Sequence, residues 1–121
     1  MAADTSSPTG STHVLADLWG ADPMLLRDAG RIESIMRAAA AAAGARVLSA
    51  HFHRFGGEGG VTGVLLLAES HLTVHTWPEV GLAAVDAFMC GGARAETAVD
   101  ALCVAMRAER RGGGVIRRAI R

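Results

Sequence analysis

Residues 61–77, Val-Thr-Gly-Val-Leu-Leu-Leu-Ala-Glu-Ser-His-Leu-Thr-Val-His-Thr-Trp, are strand-like from end to end, and no other segment constrains the fold as tightly. One straight strand of that length would extend about 55 Å at ~3.3 Å per residue. A single domain of 121 residues has a radius of gyration of only about 14 Å. The run must therefore bend or break, and the place for it is around Ala68-Glu69-Ser70-His71, where apolar residues give way to polar ones. Within it, Val64-Leu65-Leu66-Leu67 is apolar at consecutive positions, so the strand is apolar on both faces. Two helices cover one face of a small sheet; a second copy of the chain is the simple cover for the other.

The flanking sequence supplies the remaining elements. Residues 13–18 read as a strand closed by Gly20, and Asp22-Pro23 as a helix N-cap followed by proline at the first helical position. Leu25, Ala29, Ile32, Ile35, Met36 and Ala39 recur at helical spacing up to Gly44, a natural stop. Residues 46–55 and 82–89 are further strands, separated from 61–77 by glycine-rich or turn-forming residues. Residues 96–110 form a second amphipathic helix with Ala98, Leu102, Ala105 and Met106 inward, and Val115 and Ile116 a last short edge strand. Residues 1–12, rich in Ser, Thr, Ala and Pro, read as a disordered N-terminal segment, leaving 13–121 as one domain. The expected fold is α+β: a two-layer α/β sandwich with an antiparallel sheet of about four strands, two main helices on one face, and dimerisation through the sheets.

Composition narrows the chemistry. All twelve basic residues are arginine, so no lysine is present to hold pyridoxal phosphate as a Schiff base or to complete a GxxxxGK[ST] phosphate loop. The formal net charge is zero, which gives no long-range attraction to nucleic acid or to an anionic membrane. Arg107, Arg110, Arg111, Arg117, Arg118 and Arg121 cluster at the end and read as a solvated helix end and tail. Cys90 and Cys103 do not make a disulfide framework. With no leader-like or membrane-spanning run, a cytoplasmic protein is the expectation.

Residues 69–79, Glu-Ser-His-Leu-Thr-Val-His-Thr-Trp-Pro-Glu, place a hydroxyl, two histidines, an indole and two carboxylates within eleven residues. As metal ligands, His71 and His75 would stand about 13 Å apart on a strand. His51 and His53 share a strand face but lack a third ligand at recognisable spacing, so no metal site is expected. Ser-His-Asp hydrolysis lacks a Gly-x-Ser-x-Gly elbow around Ser70. Taken alone, Cys90 is an ordinary packing cysteine near a strand end.

Taken together, residues 69–79, Ala83-Ala84-Val85-Asp86 and Cys90-Gly91 resemble the bacterial and archaeal S-adenosylmethionine decarboxylases, a pyruvoyl-dependent family. The resemblance extends from about His13, through residues 15–20 and 51–55, to about Met106. It implies a proenzyme that cuts itself between Glu69 and Ser70 into a 1–69 beta chain and a 70–121 alpha chain. Ser70 becomes a covalent pyruvoyl group, forming a Schiff base with the substrate amine. His75 matches the family's proton acceptor in processing, and Cys90 its proton donor in catalysis. Phe55 is implied to stack on the adenine, Glu79 to bind the ribose hydroxyls, and Trp77 to line the pocket. The implied product serves spermidine biosynthesis, and the implied assembly is a homodimer of processed units, two alpha and two beta chains, with sites drawing on both protomers. Thr62 stands where the family usually has serine near the processing site; Met89, Val80 and Leu82 also depart from its pattern, and the glycine loop after Phe55 is one residue longer. Two alternatives stay open: arginine or ornithine decarboxylation on the same scaffold, and an unprocessed regulatory homologue. Because Ser70 and His75 sit on opposite faces of a regular strand, their partnership requires the bend to interrupt the alternation between them.

Overall fold

The computed structural model describes residues 10–119. In chain order the elements are β1 (Gly10–Trp19), α1 (Pro23–Leu26), α2 (Ala29–Ala42), β2 (Val47–Arg54), β3 (Val61–Leu67), β4 (Ser70–Trp77), β5 (Leu82–Cys90), α3 (Ala95–Ala105) and β6 (Arg110–Ala119). A 3-10 turn, Pro78–Val80, carries β4 into β5. The strands form one antiparallel sheet in the order β2-β3-β4-β5-β1-β6.

The long apolar run breaks at Ala68 and Glu69. Leu67 pairs with Ser70, and β4 returns alongside β3 as a hairpin. Glu69 takes a φ of 59°, the left-handed region, which costs a non-glycine residue on the order of 1–2 kcal/mol.

The sheet has six strands rather than about four. Residues 61–77 supply two of them, and the short edge strand expected at Val115 and Ile116 is instead the ten-residue β6. That strand needs Gly113, whose φ is 115° and where a Cβ would lie 2.0 Å from the Leu15 carbonyl oxygen. The second helix ends at Ala105 rather than 110, because Met106 caps it and Arg107 turns to a φ of 58°; Ala105 is exposed, not inward. The first helical stretch is split in two. Asp22 caps α1 by accepting from the Met24 amide, and Asp28 starts α2 by accepting from that of Arg31. At the N-terminus β1 already begins at Gly10, inside the segment read as disordered; residues 1–9 of that segment and Arg121 of the tail lie outside the described residues.

The three helices lie on one side of the sheet. Val14 and Leu18 of β1, Leu65 of β3, Leu72 and Val74 of β4 and Met89 of β5 form the core with Ile32 and Met36 of α2 and Leu102 of α3. Alanines at 39, 40, 43 and 98 are fully buried, which permits close packing of α2 against α3. Thr76, the one buried polar residue of β4, donates to the Leu26 carbonyl at 2.7 Å and accepts from the Val61 amide at 2.8 Å, tying α1 to the hairpin.

Among the described residues, no helix covers the opposite face. Strand alternation brings there His13, Leu15, Thr62, Val64, Leu66, His71, Thr73, His75, Trp77, Asp86, Phe88 and Cys90. Leu15, Leu66 and Trp77 remain 42%, 47% and 42% exposed on it. Among the described residues, no helix is long and apolar enough to cross a membrane.

Candidate active site

The residues singled out in the sequence fall into two groups at opposite ends of the β3–β4 hairpin. At the turn end stand Glu69, Ser70 and Cys90. The β4–β5 ladder starts at His71 opposite Phe88, and two further steps of that register bring Cys90 opposite Glu69. The Cys90 thiol donates to the Glu69 carbonyl oxygen at 3.0 Å. Such a donor draws electron density from the carbonyl carbon and stabilises the oxyanion that forms when a hydroxyl adds to it. The Ser70 hydroxyl belongs to the very next residue.

At the other end, Thr62 and His75 face each other directly across β3 and β4, with Oγ1 3.1 Å from Nδ1. The Trp77 ring lies 6.3 Å from that of His75. Phe55, just past β2, is half-exposed and packs edge-on against His53 at 4.7 Å; its amide is held by the Gly60 carbonyl. Glu79 is exposed in the turn after β4. Between these groups the uncovered face carries a shallow groove of about 390 Å³, lined by His51, His53, Thr62, Val64, Thr73 and His75 among others.

The structure keeps Ser70 and His75 of one chain apart. The bend falls before Ser70, not after it, so β4 is continuous from Ser70 to Trp77 and alternation runs through. Ser70 shares the face of Leu72 and Val74, opposite His75, and five residues of strand separate them by roughly 16 Å. The expectation that the bend would reconcile the two residues is therefore not met within one chain.

A third group was not anticipated. Asp86, on β5, accepts from His13 Nε2 at 2.6 Å and from His71 Nε2 at 2.8 Å through one oxygen, and from the Thr73 hydroxyl through the other. Burial alone would raise its pKa, but the hydrogen bonds from Thr73, His13 and His71, with the nearby His71 ring, hold the carboxyl below its ordinary value. Phe88 packs against both imidazoles, at 5.6 Å from His13 and 5.8 Å from His71, with the Arg118 guanidinium 5.4 Å above its ring. Arg118 also approaches His13 Nδ1 at 3.4 Å. A guanidinium can only donate, so this contact favours the His13 tautomer that carries its proton on Nε2, towards Asp86. One ligand atom from each of His13, His71 and Asp86 lies within 4.8 Å of the others. The available sequence signal was Asp86 itself, a carboxylate inside an apolar strand that requires partners. His13 left no local signal, since it is 73 residues away.

Comparison with known proteins agrees with the motif. The family model described as S-adenosylmethionine decarboxylase matches residues 12–119. An S-adenosylmethionine decarboxylase proenzyme of Caldanaerobacter subterraneus subsp. tengcongensis is 53% identical over 79 residues, 65% of this chain and 63% of that one. One of Clostridium tetani is 51% identical over 79 residues, 65% and 62% of the two chains. The matched part thus spans less than two thirds of these relatives' length. The crystal structure of the adenosylmethionine decarboxylase from Aquifex aeolicus VF5 superimposes with a TM-score of 0.85 at 35% identity, covering 94% of each chain.

Proposed function

Because the chain belongs to the S-adenosylmethionine decarboxylase family, we propose that it is a proenzyme which cuts itself at Glu69-Ser70 and then decarboxylates S-adenosylmethionine. The observation that carries this reading is the Cys90 thiol on the Glu69 carbonyl oxygen, at the one peptide bond followed by Ser70. The positive φ of Glu69 adds strain that cleavage would release.

The cut follows from those groups. Ser70 Oγ adds to the Glu69 carbonyl carbon while Cys90 hydrogen-bonds to the oxygen; the hydroxyl proton passes to the Ser70 nitrogen, the C–N bond breaks and an ester links the two residues, leaving a free amine on Ser70. A base removes the Ser70 Cα proton, the ester C–O bond breaks, and Glu69 leaves as a carboxylate. The resulting dehydroalanine end takes up water and releases ammonia, leaving the pyruvoyl group at residue 70. These residues fit that group: Cys90 donates to the oxygen of the strained Glu69 acyl unit, and Ser70 supplies the adjoining hydroxyl.

His75 suits the role of base, since imidazole can accept a proton at one ring nitrogen while Thr62 Oγ1 at Nδ1 fixes its ring. It lies too far along β4 to serve Ser70 of its own chain. A second copy, stacked through the uncovered face, supplies the His75 end to the Ser70 end, so that Thr62, His75, Phe55, Trp77 and Glu79 of one protomer meet Glu69, Ser70 and Cys90 of the other. The processed unit is then two alpha (70–121) and two beta (1–69) chains.

The pyruvoyl group supplies an electrophilic carbonyl that takes the substrate amine and accepts the electrons left behind by carbon dioxide. Cys90, freed from the departed Glu69 carbonyl, is placed to return a proton to that carbon. Phe55 offers a flat apolar surface for the adenine, Glu79 a carboxylate acceptor for the ribose diol, and Trp77 an apolar wall. Decarboxylated S-adenosylmethionine would donate aminopropyl groups for spermidine.

Intact mass under denaturing conditions tests the reading. The expected result is two fragments, 1–69 and 70–121, the second about 17 Da lighter than one beginning with serine. A single uncut chain after prolonged incubation would overturn it.

A further inference from the structure

We infer that Asp86 is a positioning residue that pins the cut end of β4, keeping residue 70 beside Cys90 once the Glu69–Ser70 bond is gone. The inference rests on the self-cleaving reading and assigns a role to the one polar cluster which that reading leaves unused.

Before the cut, residue 70 is held by the hairpin turn on one side and by β4 on the other. Afterwards it is a chain end, and chain ends fray unless tied down. The ladder ties it weakly: Ser70 pairs with Leu67 of β3 but has no partner in β5, where pairing starts at His71. Side-chain bonds start where the ladder is thinnest. His71 and Thr73, the second and fourth residues after the cut, both donate to Asp86, which lies on the same strand as Cys90, four residues before it. The third donor, His13, ties the same carboxylate to β1. One side chain thus fastens the new terminus to β5 and, through His13, to β1 on the far side of β5.

The sheet does not need this carboxylate for its core. Asp86 is on the uncovered face, flanked along β5 by Val85 and Ala87, whose buried side chains point the other way. Placing a half-buried charge there is unfavourable unless it is fully hydrogen-bonded, and three donors meet that requirement. The charged or titratable groups facing it are His71 from β4, His13 from β1 and, beyond His13, Arg118 from β6.

The test compares wild type, Asp86→Asn and Thr73→Val, the last keeping its branched shape but losing the hydroxyl. Because cleavage happens while the turn still holds residue 70, both variants should self-cleave. In the cleaved D86N protein, amide exchange at residues 71–73 should quicken by about tenfold. Its kcat should fall roughly 10- to 100-fold with KM changed less than about threefold. T73V should shift both in the same direction by less. Cleaved variants with wild-type exchange and kcat would overturn the inference alone. So would a folded D86N protein that cannot cleave, since Asp86 would then act before the cut. An uncut wild type would overturn the self-cleaving reading and this inference with it. Were D86N not to fold, T73V decides: unchanged exchange at 71–73 rejects the anchoring role.

Discussion

The Sγ of Cys90 sits 3.0 Å from the carbonyl oxygen of Glu69, two steps beyond the last paired rung of β4 and β5. The contact exists in the uncut chain, so the proposed cleavage gives the thiol a role that can be tested before any substrate is added. Cys90→Ala should slow self-cleavage roughly 100-fold, the usual cost of losing one oxyanion donor. Cys90→Ser keeps a donor and should retain part of the rate. The fraction of cut chain against time on a denaturing gel measures both, and cleavage of C90A at the wild-type rate would remove Cys90 from processing.

Separation of Ser70 from His75 predicts complementation between inactive chains. Ser70→Ala has no nucleophile, and His75→Ala lacks the base; neither should cut alone. In a mixed dimer the His75→Ala chain meets the partner's intact base, so about half of those chains should be cut after random co-assembly. Distinguishable affinity tags and intact mass identify which chain is cleaved. No cleavage in the verified mixed dimer would place both residues in one chain's site.

Thr76 is part of the same motif but its work is structural. Its hydroxyl is buried and serves both the Leu26 carbonyl and the Val61 amide. Thr76→Val preserves shape and leaves both backbone groups without that partner, which should cost about 1–3 kcal/mol in urea unfolding. A loss below ~0.5 kcal/mol would mean that water reaches these groups instead.

What the sequence revealed and what it hid have physical reasons. The break in 61–77 was legible because strand length and domain size conflict, and Glu69, Ser70 and Cys90 because the first two are contiguous and the third ends the next strand. The face of Ser70 was legible too, yet depended on the position of the turn to a single residue: a bend at 68–69 leaves β4 regular, one at 71–72 would not. The His13–Asp86 contact requires β1 to lie beside β5, a long-range pairing that local periodicity does not encode. The long β6 was obscured because its Arg and Gly residues lack strand alternation and all of them are exposed.

The lowered carboxyl of Asp86 gives stability a defined pH dependence. A group whose folded pKa is depressed contributes stability above its unfolded value, about 3.9 for aspartate, and loses it as pH falls through the folded value. The stability difference between wild type and D86N should therefore be flat near about pH 6 and shrink as pH drops below the aspartate range. Urea unfolding at steps between about pH 3 and about pH 6 measures it. A difference that does not shrink towards acid would mean the charged carboxylate is not what the three donors stabilise.

Leu15 and Leu66 provide a separate handle on assembly, because they sit on the uncovered face with their side chains largely exposed and take no part in the groups at either end of the hairpin. Covering each leucine on dimerisation would contribute about 2 kcal/mol, whereas an aspartate there brings a charge into an apolar contact. The double variant Leu15→Asp, Leu66→Asp should keep its fold, since both positions face away from the core, and sediment as a monomer. If the cleavage site borrows His75 from the partner, that monomer should also cut slowly, and its rate should rise with protein concentration as residual dimer forms. Wild type well above its dissociation constant should cut at a concentration-independent rate. A folded monomer that cuts as fast as wild type, at any dilution, would show that one chain suffices and that the 16 Å strand separation is closed by some rearrangement within it.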